Sequence, residues 1–271
     1  MTQNINNHAQ MLLDWLREYE AVFVAFSGGV DSSVLAKGAQ LARAERASAV
    51  FLESATTQAD EQENAELVAR ETGIALTVVA GKEFDDDRFV QNDENRCYYC
   101  KQVRFSQLVE LAKQFPGSVL LEGSNHDDLS DYRPGKRAAE ELGVRAPLAE
   151  LGFSKQDVRD LARFWNLPCW DRPSEPCLAT RIDYGISLDE ELLQNIGKAE
   201  HFLKSYGFSP VRVRFHAGSL ARIEVLPEYI ARLCDPEFRA ILNPFFHELG
   251  FRFVTIDMVG FRSGSMNPKP S

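Results

Sequence analysis

Apolar positions recur along this chain in two rhythms. Residues 8–19 place Met11, Leu12, Trp15 and Leu16 at helical spacing, which predicts an amphipathic helix. Short runs rich in β-branched and aromatic residues follow at 21–26, 47–52, 74–80 and 118–122, and each reads as a strand. Polar, helix-compatible stretches lie between them, at 34–43, 58–72 and 98–114, while 81–96 is charged and loop-like. Strands alternating with helices predict an α/β fold, a parallel sheet with crossover helices on both faces. Residues 168–186 are Pro-rich and irregular and read as a joint. On that count the first domain is 1–180 and a smaller α/β lobe is 181–271. The lobe carries a helix at 188–206, strands near 211–216 and 221–226, helices between 228 and 249 and a strand at 252–261. The tail from Ser263 is rich in Gly, Pro and Ser and is expected to be partly loose.

In an open parallel sheet, ligands sit at the carboxyl ends of the strands. Two loops fall there. The first is Ser27-Gly28-Gly29-Val30-Asp31-Ser32-Ser33. Its glycines permit a sharp turn, the hydroxyls of Ser27, Ser32 and Ser33 can donate to phosphate, and the following helix offers free N–H groups. The Gly-Lys-Ser/Thr ending of a Walker A loop is missing. The loop resembles the PP-loop of the ATP pyrophosphatases, which split ATP into AMP and pyrophosphate. Asp31 either stabilises the loop or helps hold Mg²⁺ beside the phosphates. The second loop, Gly123 to Asp128, offers Gly123, Asn125 and Asp128 to nucleotide or metal, or closes the strand as an Asx turn.

A net charge of −10 over 271 residues argues against an extended nucleic-acid surface. No run approaches the ~20 apolar residues of a membrane span. Residues 1–8 are polar, without the pattern of a secretory leader, so a cytoplasmic location is expected. Five cysteines in such a chain argue against a disulfide framework and for metal, redox or nucleophilic use. Cys97-Tyr98-Tyr99-Cys100 alone fits a redox pair, half a zinc site or part of an iron–sulfur site. Cys177 lies in the irregular segment, before Leu178-Ala179-Thr180-Arg181. Cys234 reads as a structural helix residue, and Cys169 as core or a further ligand. Arg212 and Arg214 share a strand face and suit bidentate anion binding, against the alternative of a solvated edge with ordinary ion pairs. Glu200 sits in a helix, where a carboxylate is usually a solvated face. His201 and His216 read as surface or satisfied core residues.

Taken together, the PP-loop, Gly123-Ser124-Asn125, Pro176-Cys177-Leu178-Ala179-Thr180-Arg181, Val211-Arg212-Val213-Arg214, Ala221-Arg222-Ile223-Glu224-Val225 and the terminal Gly260-Phe261-Arg262-Ser263-Gly264-Ser265-Met266-Asn267 resemble the LarE family over nearly the whole chain. The resemblance implies an adenine-nucleotide-hydrolase-like fold and an ATP-dependent sulfur insertase of nickel-pincer nucleotide biosynthesis. That enzyme adenylates a carboxylate of pyridinium-3,5-biscarboxylic acid mononucleotide, and sulfur then displaces AMP. It implies ATP and Mg²⁺ as cofactors, and Arg181, Arg212 and Arg214 around the substrate's phosphate and carboxylates. Cys177, Arg181 and Glu200 stand as catalytic residues, with Glu200 near the sulfur. A homo-oligomer, a hexamer by family analogy, is expected.

The family supplies sulfur in two ways: one cysteine gives up its own, or three cysteines hold a 4Fe-4S cluster whose open iron carries a sulfide. With Cys97, Cys100 and Cys177 all present, the resemblance is to the cluster form. Sacrificial Cys177 is the second reading. A persulfide relay is third, and structural zinc, which needs a fourth ligand, is last. The rival functions are a tRNA thiolation enzyme, a synthetase of the GMP or NAD type, and a nucleotide-binding module without turnover.

Overall fold

The computed structural model describes residues 2–58, 61–129, 134–172, 176–262 and 266. The tail from Ser263, Met266 apart, and Pro173-Ser174-Glu175 of the expected joint lie outside them. The first half runs α1 (Thr2–Leu16), β1 (Ala21–Ala25), α2 (Val30–Arg43), β2 (Ala47–Glu53), α3 (Glu61–Thr72), β3 (Ala75–Ala80), α4 (Asp87–Val90), α5 (Arg96–Ala112), β4 (Ser118–Leu121), α6 (Pro134–Glu141), α7 (Pro147–Glu150) and α8 (Lys155–Phe164). The second half runs α9 (Glu190–Ser205), β5 (Val211–His216), β6 (Leu220–Val225), α10 (Ile230–Leu233), α11 (Pro236–Glu248) and β7 (Phe253–Ile256).

These elements form two compact units. The first comprises 1–54, 60–89 and 95–175; the second comprises 55–59, 90–94 and 176–271. The two short excursions join the second unit through specific bonds. Leu178 N–H donates to the Thr56 carbonyl at 2.9 Å. The buried Asn92 amide donates to the carbonyls of Asp183 and Ile186, at 2.9 and 2.8 Å.

The first unit is a parallel sheet in the order β3-β2-β1-β4, as the alternation predicts. Alternate residues of its strands feed two cores. Val22, Val24, Ala49, Phe51 and Leu121 pack with Leu12, Leu16, Val34, Leu35 and Leu161 on one face. Phe23, Val50, Leu52 and Leu120 pack with Phe105 and Leu108 on the other. Both faces are therefore covered by helices, and β1 lies between two neighbours with its carboxyl end feeding the PP-loop.

Gly28 fixes that exit. Its φ is +72°, and a Cβ would meet Ala65 N at 3.0 Å and Ala65 Cα at 3.1 Å, so both the conformation and the approach of α3 require glycine. Gly28→Ala is expected to cost about 1–2 kcal/mol from the backbone alone. A lowered midpoint in urea, together with weakened ATP binding, is the check.

The second unit holds a three-stranded sheet in the order β5-β6-β7. β5 and β6 are antiparallel, and β6 and β7 are parallel. Alternation sorts its faces: Val211, Val213, Ala221, Ile223 and Val225 are buried apolar residues, while Arg212, Arg214, Arg222 and Glu224 share the other face. Here the structure corrects one expectation and removes one alternative. Arg212 and Arg214 are buried, which removes the solvated-edge alternative. Cys234 is exposed at the end of α10, not a core residue. Among the described residues no helix is long and apolar enough to cross a membrane.

Candidate active site

Three loops of the first unit converge on Asp31. The N-cap of α2 is Gly29, which supplies no side-chain cap, so first-turn N–H groups are left for an anion. Within the loop, Ser32 Oγ and Ser33 Oγ donate to the Gly29 carbonyl at 3.1 and 2.8 Å. Ser27 Oγ lies 3.2 Å from Ser32 Oγ. These bonds set the loop's shape while leaving Ser27 exposed. The 123–128 loop lies against it: a Cβ on Gly123 would sit 3.0 Å from Ser32 N. Asn125 does two jobs. Its Oδ1 accepts from Asp127 N–H at 3.0 Å, which is the Asx turn, and its Nδ2 donates to Asp31 Oδ1 at 3.1 Å. Asp128 closes the turn by accepting from Asn125 N–H at 3.0 Å.

The third contributor is Lys155, which sequence reasoning did not single out. It is the first residue of α8, behind a Ser154–Asp157 capping box. Its N–H donates to Asp127 at 2.9 Å, and its ammonium ion-pairs with the other oxygen of Asp31. A signal was present in the sequence. A cation at a helix N-terminus opposes the macrodipole, so it needs an anion nearby.

Cys169 lies beneath this loop. It is 3% exposed and packs in the core; burial pushes its thiol up, and the Ser33 hydroxyl beside it works the other way. Its place is structural support of the PP-loop.

Cys97 and Cys100 sit in the first five residues of α5, the former exposed and the latter half-buried. Lys101, one step further, ion-pairs with Glu122 at 2.7 Å and so ties α5 to the end of β4. The two tyrosines between the cysteines are clamps. Arg137 lies over Tyr98 at 4.0 Å and Arg88 over Tyr99 at 4.8 Å.

Cys177, Arg181, Glu200, Arg212 and Arg214 all fall in the second unit. Cys177 is exposed and precedes a 3₁₀ turn, Leu178–Arg181. Thr180 secures it: its N–H and Oγ both reach the Cys177 carbonyl, at 3.1 and 2.8 Å. Arg181 Nη1 reaches back to the Pro176 carbonyl at 3.2 Å. The same guanidinium holds Glu200 in a two-pronged pair, at 2.7 and 3.1 Å. Glu200 also accepts from Val213 N–H at 2.9 Å and is 2% exposed, so it does not lie on a solvated face. Arg214 donates to Glu224 at 3.0 Å and to the Thr180 carbonyl at 2.8 Å. Arg222 donates to the other Glu224 oxygen at 2.9 Å and to His216 Nε2 at 3.0 Å, while His216 Nδ1 faces Asp183. Two buried carboxylates thus hold three arginines around the turn that carries Cys177.

Arg212 is the exception. Among the described residues it makes no ion pair; Phe261 lies under it and the Arg262 carbonyl accepts from it at 3.5 Å. Burial, with Arg181 and Arg214 nearby, pushes its guanidinium down to about 10. Burial likewise lowers Arg214. The cluster therefore carries surplus positive charge in a dry setting, which favours an anion.

Glu200→Ala is expected to cost about 3–5 kcal/mol, because it strands a buried guanidinium. Equilibrium denaturation of the variant measures this.

Among the described residues, no three His, Cys, Asp or Glu side chains cluster closely enough to hold a metal ion.

Residues 5–104, which include the PP-loop, match the family described as NAD synthase. Over greater lengths, an uncharacterized protein of Synechocystis is 38% identical over 97% of this chain and 98% of its own. An uncharacterized protein of Methanocaldococcus jannaschii is 29% identical over 89% of this chain and 91% of its own. The pyridinium-3,5-bisthiocarboxylic acid mononucleotide synthase of Lactiplantibacillus plantarum is 37% identical over 93% of this chain and 91% of its own. With that likeness running through both units, from the PP-loop to the arginine cluster, this chain belongs to the family of that synthase, the LarE family.

Proposed function

We propose that this protein is an ATP-dependent sulfur insertase acting on pyridinium-3,5-biscarboxylic acid mononucleotide. The observation that carries the reading is the seat of Cys177. An exposed thiol stands at the head of a turn that is locked, through Arg181 and the Thr180 carbonyl, to a buried arginine cluster with surplus charge.

In the first step a carboxylate oxygen of the acceptor attacks the α-phosphorus of ATP, and pyrophosphate leaves. The PP-loop residues Ser27, Gly28, Gly29, Ser32 and Ser33, with Gly123 and Asn125, hold the nucleotide. Lys155 offsets the charge of the departing pyrophosphate. Magnesium needs one or two carboxylates plus phosphate oxygens. Asp31, partly exposed beside the loop, fits that need, with Asp128 on the neighbouring turn. Held there, the ion would supply Lewis-acid polarisation of the phosphoryl group. Arg181, Arg212 and Arg214 hold the acceptor's anionic groups. In the second step sulfur attacks the acyl carbon and AMP leaves.

The sulfur supply has two proposed forms. In one, Cys97, Cys100 and Cys177 carry a 4Fe-4S cluster. Cys97 and Cys100, at the head of α5, and the exposed Cys177 would be its thiolate ligands, and the group would supply sulfide-level sulfur. In the other, Cys177 is the donor. Its Sγ attacks the acyl-adenylate to give a thioester. Loss of the Cα proton then breaks the Cβ–S bond, leaving thiocarboxylate on the acceptor and dehydroalanine at 177. Iron and acid-labile sulfide in anaerobically purified protein decide between them. About four irons per chain, lost in Cys97→Ala, supports the cluster. Iron-free protein that loses one sulfur on turnover, by intact mass, supports sacrificial Cys177. The proposed assembly is a homo-oligomer, testable by sedimentation.

The charge state of Arg212 sets a further expectation. Its guanidinium is held below its ordinary range, so carrying the charge costs stability in full below pH about 10. The cost is relieved as pH climbs above that. Arg212→Met is therefore expected to stabilise the protein by about 1–2 kcal/mol at neutral pH while weakening acceptor binding. Urea denaturation beside a KM measurement reads both signs.

A further inference from the structure

Arg212 differs from its neighbours in how it is held. Arg181, Arg214 and Arg222 are each fixed by a carboxylate. Arg212 is fixed by a turn near the C-terminus. Asp257 Oδ1 caps that turn, accepting from Val259 N–H at 2.9 Å and Gly260 N–H at 3.2 Å. Gly260 has φ +83°, and a Cβ there would lie 2.7 Å from the Val225 carbonyl, so only glycine lets the chain pass so close to the end of β6. Phe261 N–H then donates to that same carbonyl at 2.8 Å. This places the ring with Arg212 Cζ 4.6 Å from its centroid, and the Arg262 carbonyl accepts from Nη1.

We propose that Phe261 is a positioning residue for the acceptor site: it holds Arg212 by its flat face, so that the N–H edge of a charged, un-neutralised guanidinium meets the acceptor's anionic group. The inference rests on the acceptor-site reading above. A carboxylate partner would occupy the guanidinium's donors and compete with the incoming anion. An aromatic face attracts the cation through its quadrupole and takes none of the five N–H donors. It also fixes the plane of the fork in advance, so less rotamer freedom is lost on binding. The depressed basicity of Arg212 agrees with a charge that lacks a fixed counter-ion.

A merely space-filling Phe261 would be replaced without loss by another apolar side chain of similar size. Phe261→Leu, Phe261→Tyr and Arg212→Met are therefore compared for the KM of the pyridinium mononucleotide, the KM of ATP and kcat. Phe261→Leu is expected to raise the acceptor KM roughly 5- to 20-fold, with the ATP KM and saturated kcat within about twofold. Phe261→Tyr, which keeps the ring, is expected within about twofold of the parent. Should Phe261→Leu lower the melting temperature, Phe261→Met carries the same comparison. A parental acceptor KM in the Leu or Met variant, or an equal loss in the Tyr variant, overturns the proposal while a raised KM in Arg212→Met keeps the acceptor site. A parental acceptor KM in Arg212→Met overturns the acceptor-site reading itself.

Discussion

Cys177→Ala is expected to abolish thiocarboxylate formation, by roughly 10³-fold or more, while acceptor-dependent release of pyrophosphate from ATP continues. The separation follows from where the residue sits. Its turn is secured by Thr180 bonds to the Cys177 carbonyl and by Arg181 on the Pro176 carbonyl, backbone contacts that alanine keeps. The side chain is exposed, and a surface substitution of this kind moves stability by only about 0.5 kcal/mol. Both proposed sulfur supplies pass through Cys177, so the loss is expected under either. Quantifying pyrophosphate and thiocarboxylate in one reaction is the check. Thiocarboxylate at the parental rate would remove Cys177 from the chemistry.

Lys155→Ala is expected to lower kcat/KM for ATP cleavage about 10²–10³-fold, the range for removing one preorganised charge from a developing anion. Lys155 is the cation that the first unit brings against Asp31 beside the PP-loop, and it reaches there from a different helix. Its side chain is about one-third exposed, so the fold should survive. Lys155→Arg is expected to recover part of the rate, because the charge is retained in a different shape. Pyrophosphate release at varied ATP measures this. An unchanged rate in Lys155→Ala would reduce the Lys155–Asp31 pair to a structural tie. In the proposed order adenylation precedes sulfur transfer, so both products are expected to fall together, unlike the split expected for Cys177→Ala.

The parts of the site that were legible in the sequence are those written locally. Ser27 to Ser33 stand between a β-branched run and a helix, and that order places them at a strand's carboxyl end. The Asx turn of Asn125 is equally local, but its amide bond to Asp31, 94 residues earlier, is not. Lys155 was missed because its role lies in a partner 124 residues away. Helices α6 and α7 are short and set among Pro134, Gly135, Pro147 and Gly152, whereas α8 is locally written, with Ser154 and Asp157 as a capping box before Val158, Leu161 and Ala162 at helical spacing. Glu200 illustrates the same limit. In a helix it reads as a solvated carboxylate, yet Arg181 and the Val213 amide bury it. Arg212 and Arg214 share a strand face by simple alternation. That this face is interior depends on Glu224 and on the chain returning at Phe261.

The two kinds of similarity divide along the chain in a way that bears on the rival functions. The match to the NAD synthase family covers residues 5–104, the part that carries the PP-loop. The likeness to the bisthiocarboxylic acid mononucleotide synthase continues through the arginine cluster. An ammonia-using synthetase does not need an exposed cysteine on that cluster. A tRNA thiolation enzyme needs a basic surface that a chain of net charge −10 does not favour.

The most direct test is mass spectrometry of the acceptor after anaerobic incubation of the purified protein with ATP, Mg²⁺ and pyridinium-3,5-biscarboxylic acid mononucleotide. The expected result is a product in which a carboxylate oxygen is replaced by sulfur, with AMP and pyrophosphate formed alongside it. An unchanged acceptor, or AMP formed while the acceptor gains nitrogen instead of sulfur, would contradict the assignment.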